Sequence, residues 1–573
     1  ERTGPPPLSF GQERLWLLER LGQGGAAYNM AEALRLRGAL DVAAMERALG
    51  EIVRRHQSLR TTIAEADGHP VQVIAPFAGF TLPVEDLSGL GDEERQAETR
   101  RITREEAVWP FDLATGPLFR ARLLRLGGEE HVLLLSMHHV AADGWSLGIL
   151  YRELAALYDA FREGRPSPLP ELAVQYADYA RWQREQLQGE ALERQLAWWR
   201  ERLAGAPELL ELPTDRPRPA VQTTAGAAEG VRIPAELLER LQALGRREGA
   251  TLYMVLLGAV QLLLSRWSGA ADVVVGTTIA GRTRVETEPL IGLFMNTLAL
   301  RTDLSGDPAF RELLRRVRDV TLGAYEHQEV PFEKVVGEVS PERSLSYSPL
   351  FQVLFELHEG VGEGARSLPG LEVRRGGAEL RNAKYDLSVV LSVTADGIGG
   401  GITYSTDLFD RATARRFVEH LARVLEQVTA DPSVRLSRVE LLGDEERRQV
   451  TEEWNDNAAA FPADRCIHQL FEAQAARTPE AVAMMFGDEA ITFAELDARA
   501  NRIANHLVGL GVGPEVRVGL CLERGMDLLP AILGVMKAGG AYVPMDPAHP
   551  AERLAYMLED AAVTVLLTQE SVR

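Results

Sequence analysis

Apolar and polar residues alternate along the chain between helical and strand-like periods. Spacings of three and four residues predict helices at residues 12–21, 42–53, 92–108, 147–161, 176–203, 235–247, 251–267 and 411–430. Alternating or short continuous apolar runs predict strands at residues 31–37, 132–135 and 272–276. Asp41 stands where it can cap the helix that follows it. The mixed order of helices and strands predicts an α/β fold.

Shifts in composition divide the chain into segments. Three prolines and a run of small residues predict a linker at residues 213–230, between one lobe at 1–212 and a second at 231–440. A charged stretch at 441–462 predicts another linker, before a further domain at 463–573. In that domain Thr492 and Glu495 have the spacing of a helix capping box.

Charge and composition narrow the classes of partner. The 573 residues are 46% hydrophobic and 25% charged, which is typical of a globular protein. A formal net charge of -21 argues against nucleic-acid and anionic-membrane partners. The longest apolar run, at 254–264, is too short to span a bilayer. Cys466 and Cys521 are the only cysteines, so we expect a reducing, cytoplasmic compartment. The sequence has no initiator Met, so we also expect it to be a piece of a longer chain.

The candidate chemistry is concentrated at residues 136–146, directly after the predicted strand at 132–135. His138 and His139 are adjacent, so their side chains point to opposite faces of the strand. Only one of the two can face a cleft, and alternation alone leaves open which. Imidazole exchanges protons near neutral pH, and the Asp143-Gly144 turn that follows allows close approach of a substrate. A pair of packed core histidines is the alternative.

A metal site is the other chemistry these side chains could support. His138, His139 and Asp143 are all metal-ligand types. The rest of the chain supplies no further ligands at a recognisable spacing, so we predict no metal.

The pattern His-His-x-x-x-Asp-Gly, followed by Trp145 and Ser146, resembles the third core motif of condensation domains from non-ribosomal peptide synthetases. Six further stretches match motifs of that family in order: residues 8–16 (LSFGQERLW), 55–61 (RHQSLRT), 176–180 (YADYA), 291–297 (IGLFMNT), 327–333 (HQEVPFE) and 346–350 (SYSPL). Residues 404–410, with Ser405, also resemble the family. Seven motifs in order make a chance match unreasonable.

A second resemblance covers the C-terminal segment. Residues 491–496 and 537–547 resemble the start of an adenylation domain of the same synthetases. The sequence stops at Arg573, before any Gly/Ser/Thr-rich phosphate loop, so the resemblance implies an N-terminal fragment of that domain.

The resemblance implies two chloramphenicol-acetyltransferase-like lobes in a V shape. It also implies peptide-bond formation, in which the amine of a downstream carrier-bound aminoacyl thioester attacks an upstream acyl or peptidyl thioester. The chain itself is then expected to bind no cofactor. The 4'-phosphopantetheine arms come with the donor and acceptor carrier domains, and the rest of the adenylation domain is a third partner.

The resemblance also assigns roles to residues. It makes His139 the active-site histidine and His138 its support. Asp143 and Gly144 belong to the catalytic motif, but Asp143 is expected to be structural, paired with Arg282, while the Gly144 amide lies near the thioester. Further positions are implied as bracing or lining a substrate tunnel: Asn296, Trp145, Ser146 and Ser405.

Three functional variants of the family remain open on sequence. The first motif, with Arg14-Leu15-Trp16, resembles the version that accepts an L-configured donor residue. A starter domain that transfers a fatty acyl group is an alternative. A non-catalytic recruitment platform on the same fold is another, although such modules usually lose the His-His-x-x-x-Asp-Gly pattern that is intact here.

Overall fold

The computed structural model describes residues 4–21, 25–340, 344–358, 368–375 and 382–572. The chain forms two compact units, Glu1–Gly443 and Asp444–Arg573. Each unit has its own hydrophobic core and is described by itself.

The first unit begins with these elements: α1 (Phe10–Arg20), β1 (Asn29–Arg37), α2 (Val42–Arg55), β2 (Thr61–Ala66), β3 (His69–Ile74), β4 (Val84–Asp86), α3 (Asp92–Val108), β5 (Phe119–Arg125), β6 (Glu130–His138), α4 (Gly144–Arg162), α5 (Tyr176–Gln186) and α6 (Gly189–Leu203). It continues with β7 (Gly226–Pro234), α7 (Ala235–Glu248), α8 (Leu252–Ser268), β8 (Asp272–Ile279), β9 (Asn296–Asp303), α9 (Phe310–Glu326), α10 (Phe332–Val339), β10 (Val353–His358), β11 (Glu372–Arg375), β12 (Leu387–Thr394), β13 (Gly397–Ser405) and α11 (Arg411–Ala430).

A five-stranded sheet in the order β11-β1-β6-β5-β4 organises the first lobe. Its strand β6 carries the predicted apolar run and is covered on both faces. Leu133 and Leu135 pack into the core with α2 and α4, whereas Val132 and Leu134 pack on the other side with Ile102 of α3. Burial of both faces explains why this strand is continuously apolar instead of alternating.

A six-stranded sheet in the order β7-β13-β12-β10-β8-β9 organises the second lobe. The inner pairs β8–β10 and β10–β12 are parallel, and the remaining pairs are antiparallel. Helix α8 lies in the core of this lobe with nearly every residue from Leu252 to Leu264 buried. That burial explains its uniformly apolar sequence, since a buried helix needs no polar face.

The two lobes exchange segments, which corrects the expected boundaries 1–212 and 231–440. Strand β11 comes from the second half of the sequence but pairs with β1 of the first sheet. Leu368, Leu371 and Ile291 are likewise buried in the first core. The exchange covers an edge of β1 that would otherwise leave backbone groups unpaired.

Three smaller expectations also need correction. The single helix expected at 176–203 is two helices, α5 and α6, because Gln188 is extended and Gly189 has a φ of 56°. The expected linker at 213–230 ends earlier, since β7 begins at Gly226 and pairs with β13. The linker expected at 441–462 contains a helix at Asp444–Thr451.

The second unit contains α12 (Asp444–Thr451), α13 (Ile467–Arg477), β14 (Val482–Phe486), β15 (Glu489–Thr492), α14 (Phe493–Gly509), β16 (Arg517–Cys521), α15 (Leu528–Lys537), β17 (Ala541–Met545), α16 (Ala551–Asp560) and β18 (Val565–Thr568). A parallel sheet has the order β17-β16-β18. The predicted capping box is confirmed, because Thr492 and Glu495 each accept the other's backbone N–H.

Among the described residues, no single helix is both long enough and apolar enough to cross a membrane. Helices α7 and α8 meet these two criteria only when taken together, and the chain bends by 101° between them.

Candidate functional site

The two histidines at the end of β6 have different surroundings. His138 is 2% exposed, and its ring lies between those of Tyr28 and Phe111, with centroids 6.4 and 6.0 Å away. Its Nδ1 accepts the backbone N–H of Val140 at 3.1 Å. The His139 backbone donates to the carbonyl of Tyr28 at 2.9 Å, and the residue stays partly exposed although its Nδ1 is buried. His139 is therefore the member of the pair that can reach a substrate.

Both imidazoles are uncharged at neutral pH. Burial, reinforced by the positive charge of Lys384, lowers the pKa of His139 to about 3. The same two causes lower the pKa of His138 to about 4. Within the described part of the chain, Nδ1 of His139 has no hydrogen-bond partner. This buried nitrogen is unpaired, and the uncharged ring is a weak base.

Asp143 accepts hydrogen bonds with both of its carboxylate oxygens. Oδ1 accepts from the backbone N–H and the hydroxyl of Ser146 at 2.9 and 2.7 Å, which caps α4. Oδ2 accepts from the backbone N–H groups of Phe294 and Met295 at 3.0 and 3.2 Å. Arg282 adds Nη1 to Oδ2 at 2.9 Å and Nη2 to Oδ1 at 3.2 Å. Asp143 is 1% exposed, and both of its carboxylate oxygens already accept hydrogen bonds, which is the environment expected of a structural residue.

Arg282 connects several parts of this network. Besides binding Asp143, Nη2 donates to Ser146 Oγ and to the carbonyl of Leu290, both at 3.1 Å. The guanidinium also lies 4.2 Å from the ring centroid of Phe294. The side chain is 2% exposed. The arginine fork therefore ties residues after β8 to the start of α4 in the first lobe.

A second network of buried hydrogen bonds holds the segment that contains Ile291. Ile291 donates its backbone N–H to Nδ1 of His56 at 3.2 Å, and its carbonyl accepts from the Ser58 hydroxyl at 2.7 Å. Nε2 of His56 lies 3.0 Å from Glu153, which also binds the guanidinium of Arg55 at 3.1 and 3.2 Å. His56 directly follows the last residue of α2 and in addition positions the 291–295 segment.

Asn296 joins the start of β9 to the segment before α10. Its Nδ2 donates to the carbonyls of Gln328 and Val330 at 2.9 and 2.6 Å, and its Oδ1 accepts the N–H of Phe332 at 3.1 Å. All three side-chain hydrogen bonds go to backbone groups of the 328–332 loop. The side chain thus braces that loop, which is the geometry expected of a supporting residue.

The remaining predicted site residues form two groups, one exposed to solvent and one buried. Gly144 and Trp145 are exposed, and a Cβ at Gly144 would meet no atom within 4 Å. Trp145 also donates Nε1 to the carbonyl of Glu288 at 3.3 Å. Ser146 and Ser405 are each 1% exposed, so the expectation that their side chains line a tunnel does not fit. Ser146 is engaged with Asp143 and Gly292 instead.

The described residues hold no group of three or more His, Cys, Asp or Glu side chains placed to bind a metal ion. The motif's own candidates are engaged elsewhere, because His138 Nδ1 accepts an amide and Asp143 accepts from Arg282, Ser146 and two backbone N–H groups.

Family models match nearly the whole chain. The model described as "Condensation domain" matches residues 4–451, and the one described as "AMP-binding enzyme" matches residues 471–573. The chain belongs to the condensation-domain family. It continues into part of an AMP-binding domain, so the two families recognised from sequence motifs are confirmed.

Relatives of this condensation domain are large synthetases. It is 49% identical over 566 residues to a linear gramicidin synthase of Brevibacillus parabrevis, covering 98% of this chain and 7% of that protein. It is 45% identical over 568 residues to chondramide synthase cmdD of Chondromyces crocatus, covering 98% and 14%. The chain thus spans a small fraction of the length of these relatives.

Solved structures share the fold. A four-domain nonribosomal peptide synthetase, holo-AB3403 bound to AMP and glycine, has a TM-score of 0.85 at 25% identity, covering 100% of this chain and 44% of that one. The X-domain in its complex with OxyB from teicoplanin biosynthesis has a TM-score of 0.70 at 35% identity, covering 78% and 97%. The expected α/β class, two chloramphenicol-acetyltransferase-like lobes followed by an adenylation fragment, is confirmed.

Lys384 of the condensation domain was missed by sequence reasoning because no motif contains it. Its Nζ lies 4.5 Å from the ring centroid of Tyr28, beside the histidines. One signal was available. Only Lys334, Lys384 and Lys537 are lysines among 62 Lys and Arg residues, so a lysine is unusual at any position of this chain.

Proposed function

We propose that this condensation domain forms an amide bond between two carrier-bound thioesters. The amine of the downstream aminoacyl thioester attacks the upstream thioester carbonyl, and the upstream thiol leaves with a proton. The donor chain is thereby transferred to the downstream carrier. The single observation that carries the proposal is the accessible, uncharged His139, on a motif that Asp143 and Arg282 hold in place.

Positioning supplies most of the catalysis in this proposal. A thioester is already activated, so holding amine and carbonyl together removes much of the barrier. An α-amine has a pKa of about 7.7–8.0 in water, so a useful fraction is neutral at pH 7. Because the pKa of His139 is lowered to about 3, its imidazole acts chiefly by accepting a hydrogen bond that orients the amine.

The neighbouring groups complete the site. His138 supports the ring of His139 through its packing between Tyr28 and Phe111. Gly144 begins α4, where backbone N–H groups lack intrahelical partners and the helix dipole is positive. An oxyanion that forms on the thioester carbonyl near Gly144 is stabilised there. The missing Cβ lets the thioester approach that backbone closely.

The substrates arrive on partners. Upstream and downstream peptidyl carrier domains deliver their 4'-phosphopantetheine arms, and the chain binds no cofactor of its own. The synthetases that resemble this chain are far longer than it is, which supports partner domains in the same synthetase. An L-configured donor is proposed from the first motif, whose Arg14 contacts Glu333 of the 327–333 motif at 2.9 Å.

A recruitment platform is the second candidate function. The observation that favours it is the likeness to the X-domain, whose structure was solved in complex with OxyB. The intact His138, His139 and Asp143 network favours catalysis in this chain. Recruitment of a partner protein does not require an uncharged, accessible histidine beside such a network.

A single-turnover assay tests the proposal. The purified chain is mixed with a donor carrier and an aminoacyl acceptor carrier, both fully loaded, and the acceptor is analysed by intact mass spectrometry. We expect the dipeptidyl acceptor to form with an L-aminoacyl donor, faster than with its D-isomer or a fatty acyl donor. Preferred transfer of the fatty acyl group would identify a starter domain. Binding of both carriers without any amide product would overturn the catalytic proposal.

A further inference from the structure

Lys384 places a positive charge beside the histidine pair from the opposite lobe. Its Nζ lies 4.5 Å from the ring centroid of Tyr28. The same Tyr28 ring packs 6.4 Å from that of His138, and its carbonyl accepts the N–H of His139. The Lys384 side chain remains accessible to solvent. An ammonium group that is accessible and close to the reacting groups can act on a substrate that arrives there.

The backbone around Lys384 is held firmly. Ala383 donates its N–H to the carbonyl of Thr224 at 3.1 Å, which pairs this segment with the one that joins the lobes. Two residues further, Asp386 is 1% exposed and binds both Nη atoms of Arg218, one of them at 2.9 Å. These contacts fix the backbone position of Lys384, so the second lobe itself places this side chain beside Tyr28.

The acidic groups around Lys384 have partners of their own. They are Glu333, which pairs with Arg14 at 2.9 Å, Asp143, which pairs with Arg282, and Glu356, which accepts from the Thr278 hydroxyl at 2.5 Å and lies 3.5 Å from His358 Nε2. In the described part of the chain no carboxylate forms an ion pair with Lys384. Burial raises the pKa of the nearby Tyr385 phenol to about 12, so this phenol is uncharged at neutral pH. Among the charged groups that act on the two histidines, Lys384 has the largest effect.

Lysine is exceptional in this sequence. The chain places arginine at almost every cationic position, and its three lysines include Lys384. Arginine stays charged at every working pH, whereas an ammonium is compact and its pKa responds to burial. Solvent reaches the Lys384 side chain, but protein atoms surround most of it. This burial and the charge of Arg14 lower the pKa of Lys384 to about 8, so it is charged at pH 7 and becomes neutral above pH 8.

We propose that Lys384 keeps the attacking amine of the acceptor in its uncharged, nucleophilic form. An α-ammonium that enters beside His139 meets the positive charge of Lys384. The neutral amine meets no such repulsion, so the ammonium releases its proton to solvent before the attack. This inference rests on the proposed amide-bond formation and assigns Lys384 as a positioning residue for its nucleophile.

The pH dependence of single-turnover condensation tests this role. We compare wild type with Lys384→Met, Lys384→Gln and Lys384→Arg between pH 6 and 8.5. In wild type the rate should fall on the acid side with a midpoint below the solution pKa of the amine. Both neutral variants should move that midpoint upward by about one pH unit, because like charge shifts a pKa by this order. Lys384→Arg should keep the wild-type midpoint.

Two controls separate charge from structure. Lys334 lies over the ring of Phe10 with Nζ 5.0 Å from its centroid, and Lys334→Met should leave the profile unchanged. An aminooxy acceptor thioester is neutral across the whole range, so it should react equally fast with wild type and Lys384→Met. Melting curves establish that each variant is folded.

The outcomes are distinguishable. If Lys384→Met slows the amine and aminooxy acceptors equally, or leaves the midpoint unmoved, Lys384 does not control amine protonation and the inference is overturned. If wild type condenses neither acceptor, the proposed function itself fails and the inference falls with it.

Discussion

Arg282 and Asp143 are 139 residues apart in sequence, and they form a two-point contact, with Nη1 on Oδ2 at 2.9 Å and Nη2 on Oδ1 at 3.2 Å. Asp143 caps α4 in the first lobe, and Arg282 follows β8 of the second. Both side chains are at most 2% exposed. The contact joins the two lobes four residues beyond His139 and so holds the turn that follows the histidine.

Breaking this pair should destabilise the condensation domain. We expect Asp143→Asn and Arg282→Ala each to lower the free energy of unfolding by about 3–5 kcal/mol, because either change leaves a buried group uncompensated. The double variant should cost less than the sum of the singles, since both remove the same contact. Chemical denaturation of the four proteins measures the coupling.

An exposed pair is the matched control. Arg200 and Glu193 are 3.2 Å apart with about half of each side chain exposed, and Glu193→Gln should cost less than about 1 kcal/mol. The structural reading of Asp143 fails if Asp143→Asn unfolds like wild type but no longer condenses.

Glu153 should make stability depend on pH. Burial acts to raise the pKa of Glu153, but hydrogen bonds and charge from His56 and Arg55 outweigh it, so the net pKa lies below the ordinary 4.5. The stabilisation is therefore complete above pH 4.5 and is lost as pH falls through the folded-state pKa. Glu153→Gln should be destabilised at pH 7, and its deficit against wild type should shrink below pH 4.5. A melting-temperature difference that stays constant from pH 7 to 4 would contradict this.

Asn296 should tolerate no acidic replacement. Its Nδ2 faces the carbonyls of Gln328 and Val330, and Asn296→Asp would place a carboxylate oxygen against them. We expect this variant to lose more stability than Asn296→Ala, with the difference about 1–3 kcal/mol from the repelling buried acceptors. Urea denaturation checks the order, and a more stable Asn296→Asp would show that the amide is not a donor here.

Gly144→Ala should separate stability from activity. The added Cβ meets no protein atom within 4 Å, and alanine is a better helix former than glycine, so melting should be unchanged or slightly higher. If the thioester approaches this backbone, the methyl group should slow condensation about tenfold or more. Gly148→Ala on the next turn, also with open space, is the control and should keep its rate. Equal rates for both variants would remove Gly144 from the site.

The sequence predicted local structure well where one short-range signal decided it. Strand β6 and the helix at Arg411–Ala430 follow directly from apolar patterns, and the charged helix predicted at residues 92–108 is α3. The partnership of Asp143 with Arg282 came from the family resemblance, because spacing alone cannot join residues in different lobes.

Contacts between residues far apart in the chain could not be predicted from the sequence. The pairing of β11 with β1 depends on an edge strand that only the folded first lobe exposes. The burial of Ser146 and Ser405 depends on the segments that cover them. Lys384 lies outside every motif, and its proximity to Tyr28 arises from the packing of one lobe on the other.

The most direct test of the central claim compares His139 with a second histidine from the same part of the chain. His131 is the second residue of β6, whereas His139 directly follows the strand; His131 is 3% exposed and lies outside the motif. In single-turnover condensation with both carriers loaded, His139→Ala should be slower than wild type by at least about tenfold while remaining folded. Folded His131→Ala should keep the wild-type rate. A wild-type rate in His139→Ala would contradict the account.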